Sequence, residues 1–226
     1  MINAVFFDMD DTLCDTSGFA HIARTAAIKA MVDNGLPCTE EEGYTLLKEI
    51  IKEKGSNYNK HFNILTKKLT GKEDPFLIVN GIITYHNTKF AMLRSDPVCF
   101  STMIYLKTKG YKLALISNGV NIKQWEKLVR LNLYPFFDEV ITSESVGYSK
   151  PDKKIFDIAM KRIGSTPETS IMIGNDFNTD IKGAYNSGMR AMLINSKLTS
   201  KQQEFIDNNE YKLTILSNLG ELKDIL

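Results

Sequence analysis

Cysteine and histidine are scarce in this chain, with three of each among its 226 residues. The cysteines, Cys14, Cys38 and Cys99, are odd in number and widely spaced, and no two of them form a C-x-x-C pair. A disulfide-rich scaffold needs an even and denser set of cysteines, and a zinc module needs closely spaced Cys and His ligands. The sequence therefore argues against both kinds of protein.

Long apolar runs are also missing. The apolar run near the N-terminus is cut short by Asp8 and has no basic leader, which argues against a signal peptide. No later stretch approaches the ~18 uninterrupted apolar residues that a membrane-spanning helix needs. We therefore expect a cytoplasmic protein with no membrane partner.

Charge of one sign is not in excess either, because 28 Lys and Arg residues stand against 27 Asp and Glu residues, for a formal net charge of +1. Such a balance does not draw a protein onto nucleic acid or an anionic bilayer. The locally basic stretch at residues 66–72 is typical of a solvated helix face. We expect no nucleic-acid partner, and any ligand has to be inferred from a local site.

Short apolar runs do recur, each followed by a turn and a stretch of helical length and spacing. Continuous apolar runs are typical of parallel strands buried on both faces. Their alternation with helices predicts an α/β fold with a doubly wound, Rossmann-like parallel sheet. The predicted strands are residues 4–7, 112–116, 139–142, 170–173 and 191–194, with an edge strand at 212–216, and the predicted helices among them are residues 121–131, 153–163, 179–186 and 200–208, with a closing helix at 219–226.

About a hundred residues lie between the first two predicted strands, too many for an ordinary connection. Thr39 and Glu42 have the spacing of a capping box, and Asp74 precedes Pro75 as an N-cap precedes a helix-compatible proline. These signals predict a helical insert of four helices at residues 15–94. The α/β core then consists of residues 1–14 and 95–226.

The end of the first predicted strand carries three carboxylates in four residues, Asp8, Asp10 and Asp11. Such crowding is costly unless a cation lies among them, and a hard, oxygen-preferring ion such as Mg²⁺ meets that need. Asp8 is nearest the strand and is the better nucleophile candidate, while Asp10 can act as general acid and base. An acidic turn with Asp11 as an N-cap would not require the other two.

Polar residues follow two further strands. Ser117, Asn118 and Gly119 offer a hydroxyl, backbone amides and a permissive glycine at a helix start, which is an arrangement suited to phosphate but also to an ordinary turn. Lys150 precedes Pro151 at the start of the next helix. A lysine there can neutralise an aspartate and a phosphoryl oxygen, although most lysines are merely solvated.

The strand at 170–173 is followed by Gly174, Asn175, Asp176 and, four residues later, Asp180. Both acids can face the crevice at the carboxyl ends of the strands, one toward a metal and the other toward a lysine or a metal-bound water. The alternative is that Asp180 only complements the helix dipole.

Together these four segments resemble the haloacid dehalogenase (HAD) superfamily, and the helical insert resembles its C1 cap. The resemblance implies that Asp8 attacks phosphorus to form an aspartyl-phosphate, and that Asp10 protonates the leaving alcohol and then activates water. It also implies that Thr12, Ser117, Asn118 and Lys150 bind the phosphate. Asp10 favours a phosphatase over a dehalogenase, which has no such acid.

One position departs from the superfamily pattern. Members often have Gly-Asp in the last loop, and here Asn175 follows Gly174. The resemblance places Mg²⁺ on Asp8, on the backbone carbonyl of Asp10 and on an acid of this loop. Either Asp176 supplies that ligand or Asn175 contributes a neutral oxygen; we predict Asp176, with Asn175 and Asp180 in supporting positions.

The expected activity is therefore Mg²⁺-dependent hydrolysis of a small phosphorylated metabolite, such as glyceraldehyde 3-phosphate, phosphoglycolate or a sugar phosphate, by a monomer or homodimer. Similar proteins of the superfamily act on each of these, and the sequence does not separate them. A phosphosugar mutase on the same scaffold and a phosphoaspartyl signalling receiver are alternatives. A receiver is disfavoured by Asp10 and by the long insert, and a non-catalytic module is the weakest option.

Overall fold

Six parallel strands form one sheet in the computed structural model, which describes residues 1–94, 96–194 and 197–226. The strand order is β3-β2-β1-β4-β5-β6. The strands are β1 (Ala4–Phe7), β2 (Lys112–Ser117), β3 (Glu139–Thr142), β4 (Ser170–Gly174), β5 (Arg190–Ile194) and β6 (Leu213–Leu216). The predicted doubly wound α/β fold is confirmed, and the predicted strands differ from the observed ones by at most one residue at either end.

Seven α-helices accompany the sheet in the described residues outside the insert. They are α5 (Pro97–Thr108), α6 (Asn121–Arg130), α7 (Ser143–Val146), α8 (Lys153–Ile163), α9 (Lys182–Asn186), α10 (Ser200–Asn208) and α11 (Leu222–Ile225). One predicted helix is different: residues 179–186 consist of the end of a π-helix, Phe177–Ile181, followed by α9. The predicted closing helix begins as a 3-10 turn, Leu219–Glu221, before α11.

The centre of the sheet is buried on both faces. All four residues of β1 have no exposed surface, and Phe6 belongs to a core cluster with Ile116, Phe156 and Met172. Fully burying a large apolar side chain contributes roughly 1.5–3 kcal/mol. This two-sided burial explains why the strands read as continuous apolar runs rather than as alternating patterns.

The chain divides into two compact units, Met1–Asp15 with Arg94–Leu226 and, separately, Thr16–Leu93. The second unit contains α1 (Thr16–Asp33), α2 (Glu40–Lys54), α3 (His61–Thr70) and α4 (Pro75–Met92). Both hydrogen bonds of the predicted capping box are present between Thr39 and Glu42. The predicted first residue of the core after the insert, Ser95, lies outside the described residues. In the described part of the chain, no helix is long and apolar enough to cross a membrane.

The order of the strands places the candidate site. The chain runs from β1 outward through β2 to β3 and then returns to β4 on the other side of β1. Ligands of open α/β sheets bind outside the carboxyl ends of the strands where the order reverses in this way. In register, Phe7 pairs with Leu115 and with Ile173, so the segments that follow β1, β2 and β4 start at the same edge.

Candidate active site

Asp8 follows β1 directly and is held there by the sheet. Its backbone N–H donates to the carbonyl of Ile173 at 2.9 Å, which continues the ladder between β1 and β4 by one residue. Its side chain is about nine-tenths buried, with 10% of its surface exposed. The sheet therefore fixes the backbone of Asp8, and with it the start of the carboxylate side chain, at the point where the strand order reverses.

Lys150 joins the first and last predicted motifs. Its ammonium nitrogen lies 2.5 Å from Oδ1 of Asp8 and 2.7 Å from Oδ1 of Asp180. The backbone N–H of Lys150 donates to Oδ1 of Asn118 at 2.7 Å, and Nδ2 of Asn118 donates to the carbonyl of Lys150 at 2.9 Å. The side chain of Asn118 therefore positions the lysine that contacts Asp8.

Burial and ion pairing act in opposite directions on this pair. Burial raises the pKa of Asp8 to about 7, although the ammonium group of Lys150 acts to lower it and Asp180 acts to raise it. Burial alone would lower the pKa of Lys150, but the carboxylates of Asp8 and Asp180 outweigh that effect and hold it above the ordinary value of a lysine. Buried charges of this kind persist in proteins when they are paired.

The loop after β4 is organised by Asp180. Its Oδ2 atom accepts from the backbone N–H of Asp176 at 3.0 Å, while its Oδ1 atom faces Lys150. A Cβ atom at Gly174 would overlap with the Asp180 carboxylate. Glycine is therefore required at this position for the Asp180 side chain to pack against the end of β4. Asp180 thus connects the loop to Lys150, which is more than the helix-dipole alternative requires.

Asn175 and Asp176 have different surroundings. Oδ1 of Asn175 accepts from the hydroxyl of Thr12 at 3.3 Å, which ties this side chain to the loop that follows β1. Asp176 is exposed, and its Oδ1 atom accepts from the backbone N–H groups of Asn178 and Thr179 at 2.7 and 3.1 Å as the N-cap of the π-helix. The predicted choice of Asp176 over Asn175 as metal ligand stays a prediction.

Ser117 is the last residue of β2 and is buried, next to Thr142 in the register of β2 and β3. The backbone N–H of Gly119, two residues on, donates to the hydroxyl of Ser143 at 2.9 Å. Ser143 therefore helps to fix the loop after β2. Sequence patterns do not single out this serine, because its partner lies in a different βα unit.

Asp10 has two contacts that the sequence did not predict. Its carboxylate forms an ion pair with Lys127 and accepts from Nε2 of Gln124 at 3.4 Å. Both partners lie on α6, one turn apart, and both are buried although α6 is rich in polar residues. The sequence shows that Gln124 and Lys127 lie on one face of the helix that follows Ser117. That spacing alone does not tell whether the two side chains are buried or solvated.

The arrangement brings together the parts of a phosphoryl-transfer site. It contains a buried carboxylate beside an ammonium group, a second carboxylate that is 33% exposed at Asp10, and a serine at the end of a neighbouring strand. Phosphoryl transfer depends mainly on positioning and on stabilisation of charge, which these groups supply.

The oxygen atoms around Asp8 also fit a hard divalent cation such as Mg²⁺. In residues 1–94, 96–194 and 197–226, no three His, Cys, Asp or Glu side chains are grouped closely enough to hold a metal ion. A cation here would therefore need neutral oxygen ligands as well, which the backbone carbonyl of Asp10 and the amide of Asn175 can provide.

Comparisons with known proteins agree with this chemistry. A model of the haloacid dehalogenase-like hydrolase family matches residues 5–194. The chain is 57% identical over 226 residues to the glyceraldehyde 3-phosphate phosphatase of Methanothermobacter thermautotrophicus, with all of both chains covered. It is 45% identical to the protein of the same name from Methanocaldococcus jannaschii, with 100% of this chain and 97% of that protein covered. In fold it is similar to a HAD phosphatase from Thermococcus onnurineus, with a TM-score of 0.68, 24% identity and coverage of 99% and 97%.

Proposed function

The chain belongs to the haloacid dehalogenase-like hydrolase family and is a phosphatase of small phosphorylated metabolites, and we propose that its substrate is glyceraldehyde 3-phosphate and its cofactor Mg²⁺. The contact between Lys150 and Asp8 at the switch point of the sheet carries the assignment of the site. The two relatives named for this substrate, which align along the whole chain, support the choice of substrate.

In the proposed reaction Asp8 is the nucleophile. One of its carboxylate oxygens forms a bond to phosphorus while the bond from phosphorus to the ester oxygen breaks, and Asp10 gives a proton to the departing alkoxide. Lys150 stabilises charge on the carboxylate and on the phosphoryl oxygens, and Asp180 and Asn118 keep Lys150 in place. Thr12 and Ser117 contribute hydroxyl groups to the phosphate.

In the second half, a water molecule attacks phosphorus and gives its proton to Asp10. The bond between Asp8 and phosphorus breaks, inorganic phosphate leaves, and the carboxylate of Asp8 is restored. Asp8, the backbone carbonyl of Asp10 and Asp176 would hold Mg²⁺, with Asn175 as the other candidate in that loop. The cation would supply positive charge that offsets the negative charge of phosphate and carboxylate.

The two alternative functions are not favoured. A phosphosugar mutase and a signalling receiver can share this scaffold, but the full-length relatives are named as phosphatases. Products distinguish the three: a phosphatase releases inorganic phosphate repeatedly, a mutase isomerises its substrate, and a receiver retains the phosphoryl group.

We propose that the residues that select the substrate lie in the helical unit. We also predict a monomer or homodimer in the cytoplasm with no nucleic-acid or membrane partner. Size-exclusion chromatography with light scattering tests the oligomeric state.

The direct test is release of inorganic phosphate by the purified protein from glyceraldehyde 3-phosphate, phosphoglycolate and sugar phosphates, with Mg²⁺ or with EDTA. We expect the highest kcat/KM with glyceraldehyde 3-phosphate and no release in EDTA. Asp8→Asn should abolish release, whereas Asp11→Asn, in the same loop, should not, because Asn also tolerates the positive φ of 57° at that position. Turnover by Asp8→Asn, or preference for another phosphate ester, would contradict the corresponding part of the proposal.

A further inference from the structure

Three side chains form a polar cluster beside the predicted nucleophile: Asp10, Gln124 and Lys127. Lys127 forms an ion pair with Oδ1 of Asp10, and Gln124 donates from Nε2 to Oδ2 of Asp10 at 3.4 Å. Lys127 also donates to Oε1 of Gln124 at 3.3 Å. Each oxygen of the Asp10 carboxylate therefore has its own donor, and the two donors are linked to each other.

The cluster is more buried than a surface ion pair. The side chain of Lys127 is 9% exposed, and Gln124 is 4% exposed. Exposed ion pairs hold a carboxylate loosely because both side chains remain mobile, whereas a buried cation has to be paired in a defined geometry. The carboxylate of Asp10 remains one-third exposed, so it is held from one side and accessible from another.

The loop after β2 is shaped to admit Gln124. A Cβ atom at Gly119 would lie 2.7 Å from Nε2 of Gln124, closer than real Cβ contacts come. The glycine that follows Ser117 and Asn118 therefore leaves room for the side chain that reaches Asp10. This observation is independent of the ion pair and ties α6 to the same site.

The two buried lysines of the site form ion pairs with different carboxylates. Lys150 contacts Asp8 and Asp180, while Lys127 contacts Asp10. A proton can pass between Asp10 and a substrate oxygen only if the carboxyl group is held within hydrogen-bond reach, and a misplacement of about 1 Å can cost about 100-fold in rate. Rotation of the Asp10 side chain is what Lys127 and Gln124 restrain.

We propose that Lys127 and Gln124 are positioning residues that orient the carboxyl group of Asp10 for proton transfer to the leaving group. This inference rests on the proposed function and adds two residues to its machinery. Neither residue is required to touch the substrate. Their effect on kcat/KM, which reports the first half of the reaction, should depend on how much the leaving group needs the proton.

The experiment compares kcat/KM for a series of aryl phosphates in wild-type protein and in Lys127→Met. 2,4-Dinitrophenyl phosphate has a leaving group that departs without protonation, whereas phenyl phosphate needs the acid. We expect Lys127→Met to lower kcat/KM for phenyl phosphate by about tenfold or more, and for 2,4-dinitrophenyl phosphate by less than about threefold. Lys123→Met, one turn earlier on α6 and exposed, is the matched control and should leave both values within about twofold.

A merely structural role would lower kcat/KM for all esters by the same factor, and that result, or no change, would overturn the inference. If Lys127→Met does not fold, Gln124→Met carries the same comparison and the same decision. Failure of the proposed function is recognised separately, because the wild-type protein would then release no phosphate from any ester.

Discussion

The ammonium nitrogen of Lys150 lies 2.5 Å from Oδ1 of Asp8, although the two residues are 142 positions apart in the chain. Two features of the fold produce this contact. The central position of β1 in the sheet fixes Asp8, and the paired hydrogen bonds of Asn118 fix the backbone of Lys150. Removal of any one partner should therefore have effects on the others that can be measured.

Replacement of Lys150 should destabilise the metal-free protein strongly. Lys150→Met leaves Asp8 and Asp180 buried without their cation, and breaking a buried pair in this way costs about 3–5 kcal/mol. Lys153→Met is the control, because Lys153 pairs with Asp157 on the same segment but is 53% exposed, and loss of an exposed pair costs at most about 1 kcal/mol. Urea denaturation in EDTA measures the free energy of unfolding of both variants. Equal losses would show that the ion pairs of Lys150 stabilise the protein no more than an exposed ion pair does.

The pH dependence of stability should report Asp8. Its pKa is about 7 in the folded protein, against an ordinary value of 3.8. Between these values the folded state holds a proton that the unfolded state has released, so the free energy of unfolding of the metal-free protein falls as pH rises from 5 to 7. One such group contributes at most about 1.4 kcal/mol per pH unit.

Comparison with Asp8→Asn isolates this contribution. The variant lacks the titrating carboxyl group, so its free energy of unfolding in EDTA should fall less steeply over the same pH range. Parallel pH profiles for the two proteins would mean that another group is responsible for the dependence.

Asp10→Asn should remove the proposed general acid and base while preserving the size of the side chain. We expect kcat for glyceraldehyde 3-phosphate to fall by about 10²- to 10⁴-fold, the range typical of such groups. The thermal midpoint should also fall, because the buried ammonium group of Lys127 then lacks its counter-charge, so activity is measured well below that midpoint. A variant that keeps a tenth or more of wild-type activity would exclude Asp10 from proton transfer.

The identity of the loop ligand can be decided by Mg²⁺ titration. Asp176→Asn keeps an N-cap of similar quality but removes the negative charge, and we expect it to raise the Mg²⁺ concentration for half-maximal activity by about tenfold or more. Asn175→Ala should raise that concentration less. The reverse order would assign the ligand to Asn175, whose oxygen is the one tied to Thr12.

The strands were predictable because their signal is local. A parallel strand buried on both faces has a continuous apolar sequence whatever its neighbours are, and the apolar runs of β1 to β5 each predict a strand for this reason. The helix after β4 was less well predicted. Its first turn is a π-helix capped by Asp176, and periodicity alone does not separate a π-helix from an α-helix.

The candidate site was predictable where the chemistry sits directly at a strand end. Asp8, Ser117 and Asn175 could be placed at one edge because parallel strands all end there. Lys127 could not be placed, since a lysine on an amphipathic helix is usually solvated. Here it is buried and paired with Asp10, which lies 117 positions away in the chain.

The amino-acid sequence by itself determined the parallel sheet, and it predicted the helical insert and the strand-end residues that we propose for phosphoryl transfer, because apolar runs, caps and strand-end acids act through near neighbours. Only the tertiary structure decided which lysine forms an ion pair with which carboxylate. Lys150 contacts Asp8 and Asp180, and Lys127 contacts Asp10, since ion pairing depends on distances in space that the packing of β1, α6 and the loop before α8 sets.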